Sequence, residues 1–275
     1  MPEMPEVETI RRTLSPKVTG RRIENIEISL SRLIKYPEPA AFQALLLKKT
    51  ITGLERRGKY LIFQLDSGLI MVVHLRMTGQ LYYQQGPNRE RKAHTHLTIT
   101  FEDGAQLLYS DVRTFGAFYL LPPTETARIS GLALLGPEPL APDFTLTYLK
   151  ETILSRKGKI KSLILNQNLI GGLGNIYADE ALFLAGLDPE REGRGLTAAE
   201  TNLLYNAINK VIQDGIDHGG TTFRDYIDGE GNKGSHQNYL NVYGRYQEPC
   251  PNCQTPLSRK KVAGRSSHYC AHCQK

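Results

Sequence analysis

The sequence predicts an α+β chain in three parts: a β-sandwich or barrel behind a leading helix, a helical segment, and a small cysteine-bearing tail. Three observations predict it. Short apolar runs separated by two-residue turns fill the first third, apolar residues at helical spacing fill the second half, and all four cysteines fall in the last 26 residues. The 275 residues, 40% hydrophobic and 23% charged, are ordinary for globular domains and long enough for two domains plus a module. The longest greasy stretch, Gly68 to Leu75, is strand-sized and stops at Arg76, so a membrane span is excluded on length. The start, MPEMPEVET, lacks the basic-then-apolar layout of a secretory signal, and a cytoplasmic location is expected.

The leading helix begins at Pro5, a residue suited to a first helical position. Glu6 and Glu8 suit the positive end of its dipole. Val7, Ile10 and Leu14 share one apolar face, and Ser15-Pro16 is expected to stop the helix. Tyr60 to Leu65, turn Ser67-Gly68, then Leu69 to Leu75 reads as a hairpin. His96 to Phe101, turn Asp103-Gly104, then Gln106 to Tyr109 reads as another. The Pro/Leu-rich stretch 121–144 reads as a linker between a domain at 1–120 and a helical domain at 145–239. Helical spacing covers Thr145–Ser155, Ile160–Gln167, Ile176–Ala185 and Ala198–Asp214, with Gly186 and Gly215 as expected stops. Gly219 to Gly234 is a polar, glycine-rich loop long enough to suspect function.

The tail, 240–275, holds Cys250-Pro-Asn-Cys253 and Cys270-Ala-His-Cys273, sixteen residues apart. Each C-x2-C lets two sulfurs of one turn reach a single tetrahedral ion, so the spacing points to one structural zinc. Disulfides fit poorly, because the preceding 249 residues contain no cysteine and no export signal. So small a segment cannot bury a stabilising core, and the metal is expected to supply folding free energy on the order of 10 kcal/mol. The net charge is +6, from 34 basic and 28 acidic residues. From Asn241 onward the bases Arg245, Arg259, Lys260, Lys261, Arg265 and Lys275 face only Glu248. That concentration suits a polyanion, provided the bases cluster on the segment from Arg259 to Arg265.

The ordered set MPEMPEVETIRR, DVRTFG, LGPEPL, GGLGNIYADEALF and VYGR followed by C-x2-C-x16-C-x2-C resembles the bacterial formamidopyrimidine-DNA glycosylases over the whole chain. The resemblance implies a β-sandwich, a helix–two-turn–helix element and a zinc finger, with damaged double-stranded DNA as the partner of a monomer. It implies removal of oxidised purines and strand nicking by β,δ-elimination. It also implies that Met1 is lost and Pro2 becomes the nucleophile. An α-amine near pKa 7.7–8.0 is roughly several hundred times richer in free base than a lysine near 10.4, and a secondary amine yields an iminium. Without the resemblance, Pro2 would read only as permitting methionine removal.

Glu3 would be the proton-shuttling acid with Glu6 in support, since burial or a neighbouring carboxylate raises a carboxyl's pKa as that role needs. Lys59 would contact the phosphate or the lesion and donate a proton during elimination. Arg265 would hold the flanking phosphates. A stacked base must be flipped out to react. Met77, Arg113 and Phe115 match the residues that fill the gap, although periodicity alone reads Met77 and Phe115 as buried strand residues. His94, Arg156, Lys161 and Asn175 are further backbone-contact candidates, Asn175 reading otherwise as a helix N-cap. The loop 219–234 would cover the everted base. His236, near its end, stands where an aromatic such as Phe is expected. Two other readings stay open: an endonuclease VIII-like enzyme for oxidised pyrimidines, and a non-catalytic zinc-finger DNA-binding protein.

Overall fold

The computed structural model describes residues 2–86 and 92–275; Met1, whose removal the resemblance implies, lies outside them. The chain divides into two units, 1–133 with 218–237, and 134–217 with 238–275.

The first unit opens with α1 (Met4–Val18), then β1 (Ile23–Ile28), β2 (Ile34–Tyr36), α2 (Pro39–Leu46), β3 (Ile51–Arg57), β4 (Tyr60–Leu65), β5 (Ile70–His74), β6 (Gln80–Gln84), β7 (Thr95–Phe101), β8 (Gln106–Ser110) and β9 (Ala117–Leu121). These strands form a four-stranded sheet, β1-β7-β8-β6, and a five-stranded sheet, β2-β9-β5-β4-β3. Every pairing is antiparallel except β2 with β9. One core joins Phe63, Met71 and Val73 of the larger sheet, Ile99 and Leu107 of the smaller, and Val7, Ile10 and Leu14 of α1. Both expected hairpins form, with Tyr60 opposite His74 and Thr100 opposite Gln106.

Pro16 does not stop α1, which runs on to Val18. The proline sits in the last turn, where the lost hydrogen bond is one of few, and Val18 is fully buried. Gly20, at φ 81°, follows where a left-handed residue is needed.

The expected linker is partly helical, with a two-turn 3₁₀ helix at Pro123–Arg128 and α3 (Ser130–Ala133). The loop at 219–234, expected in the helical domain, belongs with the first unit. Gly229 N donates to Thr13 Oγ1 (2.9 Å), Tyr83 N donates to the Gly229 carbonyl (2.7 Å), and Tyr226 enters the sandwich core.

The second unit holds α4 (Leu146–Leu154), α5 (Ile160–Leu165), α6 (Asn175–Leu184) and α7 (Ala198–Asp217), then the hairpin β10 (Ser258–Val262) and β11 (Arg265–Tyr269). Thr145 caps α4 by accepting from Tyr148 N. Gly186 ends α6 at φ 70° as expected. Gly215 is no stop; it lies inside α7, where a Cβ would come within 2.5 Å of the Tyr177 ring. Its lack of a side chain lets α7 and α6 approach. No helix among the described residues is long and apolar enough to cross a membrane.

Candidate functional site

In the first unit, the chain start is fixed by its own helix. Glu3 is the N-cap of α1, and Glu3 with Glu6 forms a reciprocal capping box in which Glu3 N donates to Glu6 Oε2 (2.8 Å). The other oxygen of Glu6 accepts from Thr221 N (2.7 Å), tying the chain start to the neck of the glycine-rich loop. Pro2 is buried, and Glu3 and Glu6 are 3% and 1% exposed. Tyr226 OH lies within hydrogen-bond reach of the Glu6 and Gly219 carbonyls.

Lys59 follows Gly58, whose φ of 56° makes the β3–β4 turn, and it is buried. Arg56, just before it, bonds Glu8 Oε2 of α1 (3.1 Å), so the turn carrying Lys59 is braced against the helix. His74, opposite Tyr60 on β5, is not singled out by any sequence signal. Burial, with the charges of Arg76 and Lys59, pushes it down to about 3. Its Nδ1 accepts from Arg76 N (2.9 Å), so a neutral ring carries its proton on Nε2.

Met77, Arg113 and Phe115 are exposed, Phe115 at 52%, against the reading of Met77 and Phe115 as buried strand residues. All three lie outside strands, in the β5–β6 and β8–β9 connections, where no sheet covers them. The Arg113 guanidinium sits over the Phe115 ring, 4.8 Å from its centre. His94 is exposed at φ 63°, and its carbonyl accepts from Asp111 N (3.0 Å).

His236 is 4% exposed, with its Nδ1 3.0 Å from Nδ1 of His218. The ring centres are 5.3 Å apart and the planes 23° from parallel. Both nitrogens therefore lie between the centres, and the rings meet edge to edge through one hydrogen bond rather than by stacking. One ring donates and the other accepts. This is how a polar ring is accommodated where an apolar aromatic is expected: it closes the neck of the loop, where Ser235 N also donates to the His218 carbonyl.

In the second unit, the four cysteine sulfurs lie within 4.8 Å of one another, with Cys250 to Cys273 at 3.9 Å and Cys253 to Cys270 at 3.5 Å. A tetrahedral zinc with bonds near 2.3 Å sets sulfurs about 3.8 Å apart, whereas a disulfide needs about 2.05 Å. The set fits one ion. Among the described residues, Phe183, Val242 and Leu257 join the cysteines in the local core. Ala263 and Gly264, both at positive φ, form a two-residue turn between Val262 and Arg265, which leaves Arg265 exposed at the hairpin tip. Lys260 is committed to Asp188 (2.9 Å) and Glu190 (3.1 Å), so the hairpin's exposed bases are Arg259, Lys261 and Arg265.

Two residues expected to contact the DNA backbone, Lys161 and Arg156, make bonds within the second unit. Lys161 is 0% exposed, paired with Asp179 Oδ1 (2.6 Å) and donating to the Ser266 carbonyl (2.7 Å). A lysine so enclosed supports the hairpin beside Arg265 rather than presenting charge at the surface. Arg156 turns back on its own helix, bonding the Thr152 carbonyl (2.6 Å) and Ser155 Oγ (3.1 Å). It thereby satisfies one orphan carbonyl at the end of α4. Asn175 is the first residue of α6 rather than its cap, which is Gly174; its Nδ2 donates to the same Ser266 carbonyl (3.1 Å), and its buried Oδ1 has no hydrogen-bond partner among the described residues.

Sequence reading also passes over Asp179 and Glu180. Asp179 accepts from His268 N (2.9 Å), and Glu180 accepts from Asn241 N, Asn241 Nδ2, Val242 N and Tyr243 N at 2.8–3.0 Å. Their only signal is two adjacent acids in an otherwise apolar helix.

Residues 1–118 match the formamidopyrimidine-DNA glycosylase N-terminal domain, 135–226 its H2TH domain, and 247–275 the zinc finger found in FPG and IleRS. The finger match and the sulfur geometry together make the four thiolates the ligands of a single structural zinc. The formamidopyrimidine-DNA glycosylase of Symbiobacterium thermophilum is 49% identical over 274 residues, covering 100% of this chain and 89% of that one. That of Pelotomaculum thermopropionicum is 46% identical, covering 100% and 99%. Among solved structures, the complex between Lactococcus lactis Fpg and an abasic site containing DNA has a TM-score of 0.93 at 38% identity, with all of both chains covered. The MutM (Fpg) protein from Thermus thermophilus has a TM-score of 0.90 at 37% identity, covering 99% of this chain and 98% of that one.

Proposed function

The chain belongs to the formamidopyrimidine-DNA glycosylase family, the DNA glycosylases of base excision repair, and on that premise we propose that it excises oxidised purines from duplex DNA and then nicks the strand by β,δ-elimination. The observation that carries this reading is the chain start. Pro2 and Glu3 are buried together, and Glu6 joins them to the loop that would cover an everted base.

With Met1 removed, the Pro2 nitrogen attacks C1′ of the flipped nucleotide and the bond to the base breaks. Glu3 exchanges protons with the sugar and the departing base. The nitrogen lone pair then expels the ring oxygen O4′, which takes a proton from Glu3 as the C1′–O4′ bond breaks and an iminium forms; the iminium draws off electrons as the neighbouring C2′ proton leaves and the 3′ phosphate departs. A second elimination releases the 5′ phosphate. Lys59 faces the phosphate or the lesion, and Arg265 holds the flanking phosphates. Met77 and Phe115 fill the vacated stack, while Arg113 reads the orphaned base. His94 and Asn175 contact the backbone; Lys161 and Arg156 act through the segments they brace. The zinc supplies folding free energy to the hairpin and takes no part in bond breaking. The enzyme works as a monomer in the cytoplasm, where its DNA is.

The test is cleavage of matched duplexes carrying 8-oxoguanine opposite cytosine or thymine glycol opposite adenine. Faster release of 8-oxoguanine is expected. Preference for thymine glycol would mean an endonuclease VIII-like enzyme, and cleavage of neither would leave only a DNA-binding protein.

A further inference from the structure

The segment bearing Arg113 and Phe115 is poorly covered: Val112 is 62% exposed and Phe115 52%. Packing therefore does not hold it. Hydrogen bonds do: Arg113 N reaches Thr78 Oγ1 directly (3.2 Å), and one buried carboxylate gathers the rest. Asp111 is 1% exposed and takes four hydrogen bonds. Its Oδ1 accepts from Thr78 Oγ1 (2.6 Å) and Arg113 N (3.2 Å). Its Oδ2 accepts from Tyr109 OH (2.9 Å) and Gly116 N (2.9 Å). A carboxylate offers about four lone-pair sites, so both oxygens are fully used.

The four donors include both connections. Thr78 directly follows Met77 between β5 and β6, and Arg113 and Gly116 bracket the turn between β8 and β9. The backbone of Asp111 is fixed as well: its N donates to the His94 carbonyl (3.0 Å), and its carbonyl lies 3.1 Å from His96 Nε2. Two glycines close in on the same point. A Cβ on Gly79 would come within 2.5 Å of the Tyr109 hydroxyl oxygen, and one on Gly116 within 1.7 Å. Thr114 sits at φ 55°, where a β-branched residue stays only if its surroundings over-determine it. The Arg32 guanidinium bonds its hydroxyl.

We propose that Asp111 is a positioning residue for base extrusion: one buried carboxylate ties the Met77 turn to the Arg113–Phe115 loop, so that the three exposed side chains meet DNA as one preset wedge. The proposal rests on the reading of those three as void-fillers. Charge is required as well as shape. All four partners are donors, and an amide in place of the carboxylate would aim its NH2 at one pair of them. The Tyr109 hydroxyl could turn to accept; the Gly116 N–H and Arg113 N–H could not.

The test uses the zinc-loaded full chain and two substrates. One is a duplex with 8-oxoguanine opposite cytosine, which needs extrusion. The other is a single-stranded oligonucleotide with an abasic site, which does not. Asp111→Asn is expected to lose at least ten-fold more on the duplex than on the single strand, in the single-turnover rate rather than in KM. The fluorescence rise of 2-aminopurine beside the lesion should slow in parallel. Tyr109→Phe, which removes one donor to Asp111, and Thr78→Ala, which removes one donor and the oxygen that accepts from Arg113 N, should fall between Asp111→Asn and the parent, which keeps the test open if Asp111→Asn folds poorly. Equal losses on both substrates, or no loss in any of the three variants, would overturn the proposal. Phe115→Ala separates the two layers. If it spares the single strand and slows the duplex while the Asp111 series does not, the wedge stands and the proposal falls. If it affects both substrates alike, the void-filling reading fails and takes the role of Asp111 with it.

Discussion

Glu3 and Glu6 at the start of α1, and Asp179 and Glu180 within α6, are equally buried at 1–3% exposure, yet their surroundings differ. The α6 pair is spent on the fold. Glu180 takes four bonds from Asn241, Val242 and Tyr243, and Asp179 holds Lys161 and His268 N. Those donors are interior points of the chain, and the acids fix where the zinc hairpin begins and turns. Of the α1 pair, Glu6 is likewise spent, on Glu3 N and Thr221 N. Glu3 alone adjoins Pro2, the proposed nucleophile. Burial by itself thus nominates no catalyst; the company an acid keeps does.

The largest effect should separate the pairs outright. Glu3→Gln keeps shape and capping ability, so excision of 8-oxoguanine should fall by about 10²–10⁴-fold while the melting temperature moves only a few degrees. Single-turnover excision and a thermal melt on one preparation check both halves. A large melting shift with modest kinetic loss would erase the distinction.

Asp179→Asn should do the reverse. It strands the Lys161 ammonium in a dry site, which costs about 3–5 kcal/mol. Denaturant unfolding reads that loss, and excision per folded molecule should suffer much less than in Glu3→Gln.

The smallest effect concerns Glu8, farther along α1. Burial would raise its carboxyl, but hydrogen bonds from Arg11 and Arg12 and the charges of Arg11 and Arg56 outweigh burial and hold it at about 2. A carboxyl lowered in the folded state stabilises fully above its ordinary value of about 4.5, and that contribution fades as pH falls toward about 2. Glu8→Gln should flatten the acid limb of the stability curve in that window. An unchanged limb would place Glu8 outside the spent acids.

The sequence makes legible what depends on local pattern. The hairpins follow from alternation and turn residues, and the zinc site from spacing. The helices of the second unit follow from periodicity. What it hides depends on contacts between distant residues. Pro16 misleads because the burial of Val18, not local propensity, decides where α1 ends. Gly215 looks like a stop because the Tyr177 ring it makes room for is 38 positions away. Lys161 and Arg156 look like surface charge because a lysine in sequence does not announce an Asp179 partner, nor an arginine its own helix end. The placement of 218–237 with the first unit rests on bonds to Glu6 and Thr13, more than two hundred residues away. Exposure of Met77 and Phe115 is invisible to periodicity, though implied by the family resemblance: apolar residues near strands read as core until the sheet edges are known.

The central claim is a covalent bond between the Pro2 nitrogen and the sugar of a damaged nucleotide. Intact-mass measurement after mixing with an 8-oxoguanine duplex and borohydride tests it. A chain lacking Met1 is expected to gain the mass of a reduced DNA adduct, mapped by digestion to Pro2. Processed chain that cleaves the duplex yet carries no adduct, or an adduct mapped to Lys59, would contradict it.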